Sequence, residues 1–196
     1  MQDFDRRRDA LLAAAAHVFA ARGYHRTSMR DLAKASRMSL AGMYYYVAGK
    51  EDLLFEIQKG CFERVRRAAE AAVAAAVTPE ERLGAFIRHH VMFFANHMDE
   101  MKVLSHEAES LTGPRLEEVR ALKKAYVELG LGLLAALDAQ DGGHRTDRHV
   151  AVYALFGMMN WIYTWYDPAG PVGVEELAES ICRLFLNGYA AEVHVR

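Results

Sequence analysis

Residues 10–54 read ALLAAAAHVFAARGYHRTSMRDLAKASRMSLAGMYYYVAGKEDLL, and the fold of the whole chain is read outward from them. Leu11, Leu12, Ala15, Val18 and Phe19 recur at helical spacing and give a first helix, over 6–22, one apolar face. Gly23 stops it, because glycine accepts the left-handed conformation that ends many helices. Thr27 or Ser28 then caps a short helix, with Asp31 three residues beyond Ser28 as a capping-box partner. Ser36-Arg37-Met38 is a tight break. Ser39 caps another short helix through about Tyr46, and Ala48-Gly49 breaks the chain again. A long helix, expected over 50–76, opens with Glu51 and Asp52 where the helix dipole favours acids. Two short helices joined by a tight turn, with a preceding helix to pack on, are the parts of a helix-turn-helix.

Such a unit reads DNA when its second helix has an exposed face small enough to approach base edges and flanks that donate to phosphates. Ser39, Ala41 and Gly42 are small, and the Tyr44-Tyr45-Tyr46 hydroxyls can reach phosphate oxygens. Helical spacing turns at least one of the three tyrosines inward, with Tyr46 expected inside and Tyr45 outside. Charge agrees. Residues 1–50 carry nine Lys/Arg against four Asp/Glu, whereas residues 51–196 carry fifteen against twenty-two. A basic head on an acidic body suits a polyanion at the head and some other task in the body.

These residues resemble the N-terminal signature of the tetracycline-repressor (TetR/AcrR) family of bacterial regulators. The matching points are Phe19, Gly23-Tyr24, Thr27, Leu32-Ala33, Ser39, Tyr44, Lys50-Glu51 and Leu53. The resemblance implies phosphate contacts from Thr27, Ser39, Tyr44, Tyr45 and Lys50, with Ser28 beside them, and a groove-facing surface at Leu40, Ala41 and Gly42. Two positions depart from the family pattern. Arg37 stands where the family usually has glycine, which implies a backbone cost or an extra phosphate contact. Leu40 stands where the family often has lysine.

Beyond the head, composition and pattern keep the chain all-helical. At 52% hydrophobic and 26% charged it is too apolar for a disordered tail, and its four prolines and absence of sustained alternation argue against sheets. Thr78-Pro79-Glu80-Glu81 starts a helix to about His97. Further helices are expected over 99–110, from Gly113-Pro114 to about Ala139, from a Thr146 cap to Tyr166, and over 174–191. About nine helices result, divided into a DNA-binding domain at 1–49 and a ligand-binding and dimerisation domain at 50–196. Leu11–Ala21 behind Arg6-Arg7-Arg8 mimics a secretory signal, but Asp3, Asp5, Asp9 and His17 spoil it. Cys61 and Cys182 form no Cys-x-x-Cys, which fits a reducing cytoplasm.

Val150–Tyr166 holds no charged residue for seventeen positions, just short of a membrane span, and its Gly157, Asn160 and Thr164 favour a core or interface helix. Its apolar residues go all the way round, so one face can meet its own core and another a partner. Leu177, Ile181, Leu184, Phe185 and Gly188 on the last helix supply a complementary stripe. The family resemblance implies a homodimer through these two helices, with Val152, Phe156, Ile181, Leu184, Phe185 and Gly188 at the interface.

Phe86, Met92, Phe93, Met101, Tyr126, Phe156, Met159, Trp161 and Tyr163 could line an effector cavity, although each taken singly is as compatible with plain core. Asn160-Trp161 through Tyr166, followed by Asp-Pro-x-Gly, resembles family members that answer to acyl-CoA thioesters. Arg88, Arg120 and Lys123 could serve the phosphates of such a ligand. His89, His90, His97 and His106 cluster in sequence without a His-Glu-x-x-His, so no metal site is expected. No cofactor is expected either. With no P-loop, G-x-G-x-x-G or G-x-S-x-G, no enzyme is indicated.

The sequence thus points to a ligand-responsive regulator, a repressor released from a palindromic operator by an acyl-CoA-like effector. A multidrug- or amphiphile-responsive repressor is the nearer alternative. A small helical enzyme or heme-type binding protein is the alternative from another class.

Overall fold

A computed structural model of the chain describes residues 2–141 and 146–189, and every regular element among them is a helix. The head contains α1 (Gln2–Arg22), α2 (Met29–Ser36) and α3 (Leu40–Tyr44). They are followed by α4 (Lys50–Ala74), α5 (Pro79–Ala95), α6 (Met98–His106), α7 (Gly113–Asp141), α8 (Arg148–Asn160) and α9 (Val174–Tyr189). The all-helical reading therefore holds across the described residues.

Several ends are set by local chemistry. Gly23 has φ 82° and its N–H donates to the Phe19 carbonyl, closing α1. Ser28, and not Thr27, caps α2. The Asp31 N–H donates to Ser28 Oγ at 3.2 Å, and the Ser28 N–H donates back to Asp31 Oδ2 at 2.9 Å. The Ser28 hydroxyl and amide hold the Asp31 carboxyl below its usual range. Thr78 and Glu81 form a second capping box at α5, behind Pro79.

Other ends differ from the sequence reading. α3 is five residues long, which leaves Tyr45 and Tyr46 just beyond it. The helix expected over 99–110 stops at His106, where the Glu107 N–H donates to the Val103 carbonyl. Asp147, and not Thr146, caps α8. Its carboxylate accepts from the N–H groups of His149 and Val150, and an anion suits the positive end of the helix dipole. α8 also fails to reach Tyr166. It ends at Asn160 and tightens into a 3-10 turn over Trp161–Thr164, where the Thr164 hydroxyl donates to the Trp161 carbonyl. Residues 142–145 of the loop expected after Asp141, and residues 190–191 of the last helix, lie outside the described residues.

The chain packs as two compact units. One takes the residues up to Glu63 together with His97–Leu122; the other takes Arg64–Asn96 and the described residues from Lys123 onward. The expected boundary at 49/50 falls inside the first unit, because α6 packs on α1 there and the start of α4 shares that core. Leu11, Phe19, Leu32, Met43, Leu53 and Leu54 fill it, each essentially removed from solvent. Burying a side chain of this kind contributes about 1.5–3 kcal/mol. In the second unit α5 packs on α8 and α9, with Leu83, Phe86, Ile87, Leu155, Met159 and Ile162 at its centre. Gly130 of α7 permits close packing there, since a Cβ would lie 3.0 Å from a methyl of Val152.

Arg37 is the one described non-glycine residue with positive φ, at φ 55° and ψ 33°. Its N–H donates to the Lys34 carbonyl and the Met38 N–H donates to the Ala33 carbonyl, the pairing of a Schellman close. A side chain is strained in that conformation and glycine is not. Arg37→Gly is expected to be more stable than Arg37→Ala by about 1 kcal/mol, read from urea midpoints; both variants lose the same guanidinium, so equal midpoints would show that the backbone there carries no strain.

Candidate functional site

The first unit presents the exposed surface that the sequence reading singled out. Ser39, Leu40, Ala41, Tyr44 and Tyr45 are exposed, and Gly42 is half-buried. Ser39 Oγ accepts from the Gly42 N–H at 3.0 Å, which leaves its own O–H to donate outward. Met43 is fully buried and anchors α3 to the core. Tyr45 is 74% exposed, and its ring meets Phe4 and Tyr46 edge-on. Tyr46 turns in only partway and packs on Phe4 with ring centroids 4.8 Å apart. Arg26, Arg30, Lys34 and Arg37 are exposed around α2. Of these the sequence reading named only Arg37; the Arg30/Lys34 spacing of four residues on one helix face was the available signal.

Two expected surface residues point inward. Thr27 is buried, and its hydroxyl donates to the Gly23 carbonyl at 2.8 Å. The Lys50 ammonium donates to the carbonyls of Tyr24 and Thr27 at 3.0 and 2.9 Å, and stands 4.3 Å from the centre of the Tyr24 ring. Both side chains hold the α1–α2 connection, Thr27 from a buried position and Lys50 from a half-buried one. The Tyr24 carbonyl also accepts the Thr27 N–H at 3.1 Å.

The same connection is held from a second side. Glu107, just past α6, is 8% exposed, and its Oε1 accepts the Tyr24 N–H at 2.8 Å. Its Oε2 accepts the Ser110 hydroxyl at 2.6 Å, and its carbonyl accepts from Gln58 Nε2 of α4 at 2.9 Å. The first acids of α4 are also committed. Glu51 accepts from the N–H and hydroxyl of Thr112, and Asp52 pairs with Arg115 at 2.7 Å. In the sequence Asp52 reads as a helix-start acid, Glu51 as that and as part of the family resemblance, and Glu107 as no more than a neighbour of His106. No local pattern marks a carboxylate whose partner lies eighty-three residues away.

In the second unit, His90 is buried among aromatic rings. Phe86, Phe94, Tyr126 and Phe156 lie with centroids 4.7–6.4 Å from it. Its Nε2 bonds Asn160 Oδ1 at 3.0 Å and its Nδ1 meets the Tyr126 hydroxyl at 3.1 Å. Loss of hydration pushes its pKa down to about 3, so the ring is neutral and donates to the Asn160 oxygen while accepting from Tyr126. Among the expected effector residues, Phe86, Tyr126, Phe156 and Met159 therefore meet around one buried polar group, with Asn160 at its edge. Met92, Phe93 and Tyr163 are half-buried.

Four others do not join them. Trp161 is 61% exposed; Arg88 is committed to Glu179 at 2.6 Å; and Met101 and Arg120 belong to the first unit, where Arg120 pairs with Glu109 and Glu117. Lys123 is exposed.

Comparison with known proteins places this geometry. Residues 11–57 match the model of the bacterial regulatory proteins of the tetR family, and residues 76–189 match the tetracyclin repressor-like C-terminal domain. The chain belongs to the TetR family. The HTH-type transcriptional repressor KstR2 of Mycobacterium tuberculosis is 25% identical over 189 residues, covering 95% of this chain and 94% of that one. The HTH-type transcriptional regulator BetI of Rhizobium meliloti is 34% identical over 140 residues, 69% of this chain and 68% of its own. The crystal structure of AibR in complex with isovaleryl coenzyme A and operator DNA superposes with a TM-score of 0.81 at 31% identity, covering 91% of this chain and 97% of that one. The family and these relatives are transcriptional regulators and not enzymes, so this TetR-family chain is a DNA-binding transcriptional regulator.

For a TetR-family chain, the faces of the last two helices also bear on assembly. Val152, Phe156, Ile181 and Phe185, expected at a dimer interface, are buried within their own unit. Leu184 and Gly188, the other two expected there, are exposed, and on α8 and its turn the exposed residues are Val150, Tyr153, Ala154, Gly157, Met158 and Trp161. Val150, Tyr153, Trp161 and Leu184 are 61–67% exposed. No described helix is long and apolar enough to cross a membrane.

Tyr45→Phe is expected to weaken operator binding by about 0.5–1.5 kcal/mol, or up to about 3 if a charged phosphate is the acceptor, with an unchanged melting temperature. A folded variant that binds operator as tightly as the wild type would place the Tyr45 hydroxyl away from the DNA.

Proposed function

We propose that this TetR-family regulator is a homodimeric, cytoplasmic repressor that leaves a palindromic operator when an acyl-CoA-like effector binds the second unit. The observation that carries the DNA-reading part is the exposed, small-residue surface from Ser39 to Tyr45, framed by Arg26, Arg30, Lys34 and Arg37. In this reading Leu40, Ala41 and Gly42 face the groove, and Arg37, Ser39, Tyr44 and Tyr45 donate to phosphates; Ser28 lies beside them, its hydroxyl donating to Asp31. Thr27 and Lys50 serve from behind, by fixing the connection that carries α2.

Support for the effector comes from the aromatic interior about His90 and from the similarity to AibR, whose complex holds isovaleryl coenzyme A. An acyl chain suits such an interior, contributing about 0.8 kcal/mol per buried methylene. The cations are less ready. Lys123 is exposed and available, whereas Arg88 would have to leave Glu179 to meet a phosphate. Release then needs an effector that favours a spacing of the two reading heads other than the roughly 34–36 Å of one DNA turn.

The exposed apolar stripe of α8 with Leu184 and Gly188 supports pairing of two copies, since a stripe of this kind costs free energy in water. A Cβ on Gly188 meets nothing within its own protomer, so Gly188→Trp is expected to fold and to sediment as a monomer where the wild type sediments as a dimer. A wild-type monomer at micromolar concentration would remove the two-fold reading of the operator.

A gel-shift titration tests the effector. Medium- and long-chain acyl-CoAs are expected to dissolve the operator complex, with potency rising with chain length and exceeding that of the free acid. If every acyl-CoA leaves the complex intact while a cationic or uncharged amphiphile dissolves it, the multidrug-type reading takes its place.

A further inference from the structure

His89 and His90 are neighbours on α5 with opposite environments. Both ring nitrogens of His90 are bonded. His89 bonds the backbone of Val65 in α4, while its Nε2 is buried without a partner, the only buried side-chain nitrogen or oxygen among the described residues of which that is true. The Val65 backbone bond assigns the ring proton to Nδ1, which leaves Nε2 as an acceptor. Loss of hydration lowers the pKa of the ring against the opposing effect of the Val65 bond, which keeps that acceptor available at neutral pH.

The helix around it adds a second observation. Leu83, Phe86, Ile87, Val91 and Phe94 of α5 are buried. Ala85, Arg88, His89, Met92 and Phe93 are half-buried and follow one another at helical spacing, so they form a single partly open stripe between Leu83 and Ala95, whose other residues are buried. Three of the five are apolar, and the Arg88 guanidinium is paired with Glu179. Native proteins seldom leave a buried polar atom unpaired, and an acceptor in an apolar stripe marks the place where a ligand would complete the pairing.

We propose that His89 Nε2 is the polar contact of the effector site, and that it selects effectors carrying an O–H or N–H donor within an otherwise apolar stretch. The proposal rests on the reading that the second unit holds the effector. In an acyl-CoA, two groups answer the description: a hydroxyl on the acyl chain, or an amide N–H of the pantetheine arm. A plain alkyl chain or an ionised carboxylate offers neither. A site built to bond a donor discriminates strongly against an analogue that lacks it, because binding the analogue leaves the acceptor desolvated and unpaired.

Ring-nitrogen NMR and binding titrations on the full chain test this, using the wild type, His89→Phe (no acceptor) and His89→Gln (acceptor kept). In the free wild type, His89 is expected to show the neutral ring with its proton on Nδ1; a proton on Nε2 overturns the proposal. Decanoyl-CoA and beta-hydroxydecanoyl-CoA separate the two donors. Tighter binding of the hydroxylated probe by tenfold or more assigns the acyl hydroxyl. Equal binding, with the Nε2 resonance moved by both, assigns the pantetheine amide. In either case His89→Phe is expected to lose at least tenfold, His89→Gln to recover part of it, and the operator affinity of the unliganded variants to stay unchanged. If His89→Phe binds both probes as tightly as the wild type, the proposal fails and the acyl-CoA reading stands. If neither probe binds the wild type, the acyl-CoA reading fails, and decanol against its methyl ether decides the proposal. Decanol moving the Nε2 resonance where the ether does not supports it; no movement with either overturns it.

Discussion

The backbone N–H of Tyr24 lies in the short connection between α1 and α2, is turned away from water, and has the Glu107 carboxylate as its acceptor at 2.8 Å. Much of the first unit is arranged to keep that carboxylate in place. Ser110 donates to its other oxygen, and Gln58 holds the carbonyl of the same residue from α4. Lys50 closes the other side of the connection by donating to the carbonyls of Tyr24 and Thr27. A hydrogen bond to a charged acceptor is worth about 1.5–3 kcal/mol, and losing it would leave a buried N–H unpaired. The position of α2, and of α3 behind it, therefore depends on a group at the end of α6. The bond ties the residue that follows α6 directly to the connection that carries α2.

The sequence announces the elements of that head more plainly than the bonds that tie it together. Caps and stops are local, so Ser28 with Asp31, Gly23, Ser39 and Thr78-Pro79 are legible from a few neighbouring residues. Arg37 is legible too, as a side chain standing in a turn that wants glycine. Thr27 and Lys50 are harder. Both belong to the pattern expected of a DNA-contacting head, and nothing in their spacing says that they face the carbonyl groups at the end of α1. Glu107 cannot be found from spacing at all, because the partner that gives it meaning is eighty-three residues away.

The second unit shows how finely a helix face must be placed before a role can be read from it. α8 is apolar all round, so periodicity does not choose which side meets the core. Val152 and Phe156 face inward with Leu155 and Met159, while Val150, Tyr153, Gly157 and Trp161 face out. One step along the helix turns a residue through about 100 degrees, and that is the whole difference between the interface expected and the stripe exposed. The polar group at the centre of the unit was equally hidden. His90 reads as one histidine among several until Tyr126 and Asn160, from two other helices, close on its ring.

Native-state amide exchange at Tyr24 tests most directly whether the Glu107 carboxylate fixes the reading head. The Tyr24 amide is expected to exchange as slowly as the core amides of α1 in the wild type, and to lose that protection in Glu107→Ala while the amides of α1 keep theirs. A Tyr24 amide that exchanges in the wild type as fast as those of its exposed neighbours His25 and Arg26 would contradict the account.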